Sequence, residues 1–332
     1  MTSTRWQRVS LAALAFTLTT VLSACSPSGD DGSEVQADAQ TSTTDGDGTT
    51  NPPSPGDETT VLDVEGATSS AADGTTTEGV AEGDGGDGNG GREPTGGCVV
   101  EPVPPSAGLD PFYTQGCAIE GFRVVANEEV DPEAIVRAAD TVGRILAADD
   151  RLAATLAGSG IRLGIIGRDQ RTTEMPEYRD LNEAFPETDW DTRARGLGAT
   201  FERPLVSAGE ENVLCLPDDR YLGEDILLHE FSHVLHEFGY IVLDPDFDAE
   251  LLAAYEQAFV NGTWAGTYAA TNHHEYWAEG VQSYFGRNLT ADPADGVHGP
   301  IDTRAELEAV DPALYALIDR WLGTVELAPQ CG

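Results

Sequence analysis

His229-Glu230-Phe231-Ser232-His233 is the stretch on which the reading of this chain turns. Two histidines four apart stack on one face of a helix and can address one metal ion together. Neutral imidazoles suit zinc, and Glu230 sets a carboxylate beside the first of them. Leu227, Phe231, Val234 and Phe238 repeat at helical spacing on the side opposite His229, His233 and His236. The pattern predicts a helix over residues 224–238 that packs one face into a core and turns the other to a cleft. Gly239 is placed to end it. Five of the six histidines lie between residues 229 and 274, the strongest functional signal in the composition.

Two histidines need a further ligand. A structural zinc site is closed by four protein ligands, whereas a catalytic one keeps a position open for water. His236 lies seven residues from His229, too far along the axis to share the ion comfortably. The longer H-E-x-x-H-x-x-G-x-x-H pattern fails, because His236 sits where its glycine belongs and Gly239 where its last histidine belongs. A better candidate is Glu275, in a second helix predicted over 273–286. Glu275 and Glu279 share a face one turn apart, opposite Trp277, Val281, Tyr284 and Phe285. Such a pair fits a metal ligand plus a carboxylate that supports a zinc histidine. His273 and His274 compete with Glu275 for the ligand position.

With Thr267-Tyr268-Ala269-Ala270-Thr271-Asn272-His273-His274-Glu275-Tyr276-Trp277-Ala278-Glu279 set beside the first motif, the chain resembles the catalytic domain of anthrax lethal-factor-like zinc metallopeptidases. These are zincins with a glutamate as third ligand and a tyrosine seven residues before it that faces the metal. Tyr268 stands seven before Glu275, and 42 residues separate His233 from Glu275. The likeness spans roughly residues 205–290. It implies one zinc ion per chain on His229, His233 and Glu275, with Glu230 as general base, Tyr268 as electrophilic donor, and Glu279 supporting a histidine. Zinc in such a site acidifies its water and polarises a carbonyl. Glu230 would take the water's proton and pass it to the leaving amine, and Tyr268 would bond the developing oxyanion. The implied activity is hydrolysis of a peptide or protein substrate. A non-catalytic zinc-binding lipoprotein and an amidase acting on cell-wall material are the other classes. Glu230 favours catalysis over a scaffold, because a purely structural site needs no base.

Working outward, the expected fold is a zincin-like α+β domain over residues 98–332, a small sheet packed on the His229 helix with a mainly helical C-terminal part. Asp131-Pro132-Glu133 reads as a helix start, an N-cap acid followed by proline. Ile135, Ala138, Ala139, Val142, Ile145 and Leu146 then keep helical spacing to about residue 148. A second short helix is expected over 149–157, and strands over 121–126 and 161–166. Residues 169–200 read mostly as loop, and 204–216 as an edge or hairpin region with a strand near Val213-Leu214. Further helices are expected over 247–260, 303–309 and 312–322.

The chain has 332 residues, a formal net charge of -40, and no lysine among its 18 basic residues. Such a surface repels nucleic acid, which needs clustered positive charge to displace counterions. It attracts cations and stays soluble in salt. Residues 26–97, rich in Gly, Ser, Thr, Pro and acid, cannot bury enough apolar surface to offset ordering entropy and are expected to form a disordered tether. Before them, Arg5 and Arg8 precede an apolar run from Val9 to Leu22, too short to span as a transmembrane helix. Leu22-Ser23-Ala24-Cys25 resembles the lipobox of bacterial lipoproteins. Residues 1–25 are thus expected to be a lipoprotein signal peptide, with Cys25 acylated and the domain held outside the cytoplasm on the cell membrane. Cys98, Cys117, Cys215 and Cys331 then face an oxidising compartment and admit three pairings. Cys98–Cys117 and Cys215–Cys331 are favoured, a local staple and a tie of the C-terminus to the core. The chain is expected to act as a monomer.

Overall fold

The structure is a computed structural model that describes residues 97–331. The expected signal segment, Cys25 and the expected tether up to residue 96 lie outside the described residues. The architecture is mixed α+β. Strands β1 (Glu101–Pro102), β2 (Gln115–Ile119), β3 (Phe122–Ala126), β4 (Arg162–Ile166), β5 (Gly196–Leu197) and β6 (Leu205–Gly209) form one mixed sheet in the order β1-β2-β3-β4-β6-β5. β3, β4 and β6 run parallel, while β1–β2, β2–β3 and β5–β6 pair antiparallel.

The parallel step from β3 to β4 needs a crossover, and two helices supply it: α1 (Pro132–Leu146) and α2 (Asp150–Ser159). Asp131 caps α1 by accepting from the Glu133 N–H at 2.9 Å, and Pro132 occupies the first turn, where its missing N–H costs nothing. Strand residues alternate between the two faces of the sheet. Leu163, Ile165, Val206 and Ala208 face the helical layer, whereas Val125, Ile166 and Leu205 face Met175, Tyr178, Leu181 and Trp190 on the other side. Both faces are covered, so the central strands read as continuous apolar runs.

After β6 the chain is mainly helical: α5 (Glu210–Val213), α6 (Ile226–Val234), a π-helical turn (Leu235–Tyr240) running into α7 (Ile241–Leu243), α8 (Phe247–Asn261), α9 (His273–Tyr284), α10 (Arg304–Val310) and α11 (Pro312–Leu322). Phe231 of α6 meets Phe122 of β3 edge to face at 5.6 Å between centroids, which locks this helix onto the sheet. Among the described residues no helix is long and apolar enough to cross a membrane.

Four expectations are corrected. The strand expected near Val213-Leu214 lies earlier, at Leu205–Gly209, and is interior rather than an edge, buried throughout between β4 and β5. Val213 ends the one-turn helix α5 instead, whose Glu210 carboxylate accepts from the N–H groups of Asp131 (2.7 Å) and Arg168 (2.8 Å). Residues 169–200 are not mostly loop: they carry α3 (Leu181–Ala184), α4 (Trp190–Arg193), two 3-10 turns and β5. Gly239 does not end its helix. It lies in the π-helical turn against α2, where a Cβ would come within 2.6 Å of Leu152 Cδ1, so glycine serves close packing there. Finally, the histidine face of α6, expected to turn to a cleft, is covered: every residue of α6 is buried.

Cys98 and Cys117 form a disulfide with Cα atoms 5.6 Å apart, and Cys215 and Cys331 another at 5.7 Å. The first holds the described N-terminal residues onto β2. The second ties the end of the chain to the segment after α5.

Candidate metal centre

Two helices build the centre, and local sequence fixes both. Asp225 caps α6, accepting from the Leu228 N–H at 2.9 Å. The Asp225 carboxylate also pairs with the Arg287 guanidinium just beyond α9, and the Asp225 N–H donates to the Arg287 carbonyl at 3.0 Å. Asn272 caps α9, its Oδ1 accepting from the N–H groups of His274 and Glu275, both at 2.9 Å. Midway, Trp277 Nε1 donates to the Ser232 carbonyl at 3.0 Å. The helices are therefore cross-linked in register. Glu275 sits in the first turn of α9, where the helix dipole favours a carboxylate.

Those constraints bring three donor atoms together. His229 Nε2 lies 3.2 Å from Glu275 Oε2 and 3.3 Å from His233 Nε2, and His233 Nε2 lies 3.5 Å from Glu275 Oε2. Four ligands set tetrahedrally at zinc–nitrogen or zinc–oxygen bond lengths are roughly 3.3–3.4 Å apart along each edge. The triangle has the dimensions of one face of such a tetrahedron.

Charge supports the same reading. Glu224, Glu230, Glu275 and Glu279 are all buried here, Glu230 completely. Buried carboxylates require a positive partner or a metal. Neither oxygen of Glu230 has a hydrogen-bond partner among the described residues. Burial pushes its carboxyl up to about 8; His229 pulls it down, and the charges of Glu275 and Glu224 add to the rise. Burial likewise raises Glu279, to about 7. Burial opposes ionisation of Glu275 too, but the charges and hydrogen bonds of His233 and His229 hold it well below the ordinary carboxylate range. A divalent cation on His229, His233 and Glu275 would supply the missing positive charge. The donor set, two imidazoles and one carboxylate, fits zinc.

Around the triangle stand the supporting groups. The Tyr268 hydroxyl donates to Glu275 Oε1 at 3.4 Å, and its ring lies 6.3 Å from that of His229. His229 Nδ1 faces Gln282 Oε1 at 2.8 Å and Glu279 Oε1 at 3.5 Å. Glu279 is thus beside the histidine, but Gln282 is the nearer partner. The sequence did carry a signal for Gln282, which stands seven residues after Glu275 and so shares its helix face. Gly196 and Gly198 were also missed. A Cβ on Gly196 would come within 2.5 Å of Ile226 Cγ2 and 3.2 Å of Glu230 Cγ, and Gly198 lies against Glu230 and His233. His273 and His274 do not join the triangle; they group with His236. His298, the remaining histidine, lies 3.4 Å from Glu224 Oε2 behind the centre.

No protein-family model and no curated protein matches the chain. Among solved structures, the chain is similar to the Pro-Pro endopeptidase from Paenibacillus alvei, with 18% sequence identity and a TM-score of 0.35 over 59% of this chain and 95% of that one. So distant a likeness carries no argument about this chain, and the reading that follows rests on the site itself.

Proposed function

We propose that this chain is a zinc-dependent peptidase of the zincin type, with His229, His233 and Glu275 holding the ion and Glu230 as general base. The observation that carries the proposal is the donor triangle of 3.2, 3.3 and 3.5 Å, with a fully buried, unpartnered glutamate one residue from its first corner. When bound, zinc supplies Lewis-acid polarisation of a carbonyl and lowers the pKa of water.

The remaining chemistry belongs to the chain. A nearby dication favours the ionised form of Glu230, countering the burial that pushes it up. As a carboxylate, Glu230 accepts the proton of the attacking water and returns it to the leaving amine. The Tyr268 hydroxyl, 3.4 Å from Glu275 Oε1, is the group placed to donate a hydrogen bond to a developing oxyanion. Gln282, accepting at His229 Nδ1, keeps the ring proton on that nitrogen and leaves Nε2 for the metal. The same proposal holds the domain on the outer face of a membrane through acylated Cys25, on the strength of the lipobox-like pattern alone.

One observation favours a second reading. His229, Glu230 and Glu275 are fully buried and His233 is 3% exposed, which suits a structural metal as well as a catalytic one. A peptide-library digest read by mass spectrometry separates the two. Zinc-loaded protein cleaves peptide bonds and chelated protein does not under the first reading; under the second neither does.

A further inference from the structure

A second group of imidazoles lies apart from the donor triangle. His236 sits in the π-helical turn that continues α6, while His273 and His274 open α9. One donor nitrogen from each of these three rings lies within 4.8 Å of the other two. The rings pack on one another, with centroids 4.1 Å apart for His273 and His274, 4.9 Å for His236 and His274, and 5.8 Å for His236 and His273. Two carboxylates flank them. Asp248 Oδ1, from α8, is 2.8 Å from His236 Nε2 and 3.3 Å from His273 Nε2. Glu237 Oε1 is 3.2 Å from His274 Nδ1.

A second observation points to a ligand. His236 is 1% exposed, yet its Nδ1 has no hydrogen-bond partner among the described residues. A buried ring nitrogen left without a partner is destabilising unless something binds it. The helix is also π-wound at this turn, a distortion found frequently at functional sites.

We propose that His236, His273 and His274 form a second site, for a zinc-like transition-metal ion. Three imidazoles suit zinc, copper or nickel and disfavour magnesium or calcium. Asp248 orients the rings from α8 by accepting at Nε2 of His236 and of His273, which leaves the unpartnered His236 Nδ1 to face the ion. Its metal staples the end of the helix carrying His229 and His233 to the start of the helix carrying Glu275, with α8 as a third strut. Glu237, with Oε1 3.2 Å from His274 Nδ1, places a negative charge beside that ring. The acidic surface draws cations toward it.

The test is zinc stoichiometry on the full chain, stripped with chelator, reloaded, desalted and assayed for bound zinc. Wild type is expected to hold two ions, His233→Gln one, the His273→Gln/His274→Gln pair one, and all three changes together none. The proposal is overturned if the His273/His274 pair binds as many ions as wild type. It is equally overturned if that pair binds none, or if His233→Gln alone removes all zinc. Failure of the metal assignment at the triangle, on which the proposed function rests, looks different: His233→Gln would then keep the full wild-type complement. Because His274 neighbours Glu275, Asp248→Asn repeats the test without touching either. It should weaken the second equivalent at least ~10-fold in competition with a chromophoric chelator. Unchanged affinity would contradict the site.

Discussion

Replacing Gln282 by Leu tests how the centre is held. Gln282 Oε1 is 2.8 Å from His229 Nδ1, and its Nε2 donates to the Asp225 carbonyl at 3.1 Å. Leucine fills nearly the same volume and removes both bonds. The Asp225 carbonyl still accepts from the His229 N–H at 3.1 Å, so the main loss falls on the imidazole. Without its acceptor the ring loses its fixed tautomer, and Glu279, at 3.5 Å from Nδ1, is the carboxylate left beside it. Outer-shell partners of this kind are worth ~10–100-fold in metal affinity, or about 1.4–2.7 kcal/mol. Zinc affinity measured against a chromophoric chelator should fall by that amount. Glu279→Gln should cost less, since Gln282 remains. The order is the critical result. If Glu279→Gln weakens zinc more than Gln282→Leu does, Glu279 is the group that orients His229 and the hydrogen-bond argument is wrong.

Other outcomes follow from particular contacts. Removing the Cys215–Cys331 bond, which closes a loop of 116 residues, should lower stability by roughly 3–5 kcal/mol in the chain-entropy model, read from denaturant unfolding; an unchanged midpoint would refute it. Gly196→Val should destabilise by ~1–3 kcal/mol through overpacking against Ile226 and Glu230, whereas a melting temperature equal to wild type would mean β5 lies farther from α6. His298 is opposed by burial, but Glu224 and Asp295 raise it to about 9, above its ordinary value. Its contribution to stability is therefore complete below pH ~6.5 and lost as pH rises through about 9. His298→Gln should flatten that alkaline loss, and an unaltered pH–stability curve would show the histidine is not its source. Cys25→Ala should release the chain from the membrane fraction, and firm retention would end the lipobox reading.

How much of this was legible in the sequence depends on the range of the forces involved. The helix from Pro132 announced itself, because an N-cap acid, a first-turn proline and an apolar stripe are all local. So were the His229–His233 pair and the carboxylate face of α9. The convergence of Glu275 on those histidines is long-range: its helix face made it the better candidate, and the resemblance singled it out over His273 and His274. Gln282 went unread for a different reason: an amide carries no charge signal, and its role appears only when α9 packs on α6. Gly239 misled because glycine ends helices more often than it makes room for a neighbour such as Leu152. The strand at Leu205–Gly209 was displaced in the reading because Ser207, Ala208 and Gly209 carry little β-propensity, and pairing on both sides supplies what they lack. His236 was set aside as too distant from His229, which left its grouping with His273 and His274 unseen.

The central claim is that Glu230 is a base beside a metal and not a ligand to it. Peptide turnover and bound zinc, measured on the same samples of wild type and Glu230→Gln, test it most directly. The account predicts equal zinc in both and a loss of about 100- to 10,000-fold in turnover for the variant. Wild-type turnover in a zinc-replete Glu230→Gln protein, or zinc lost from it, would contradict the claim.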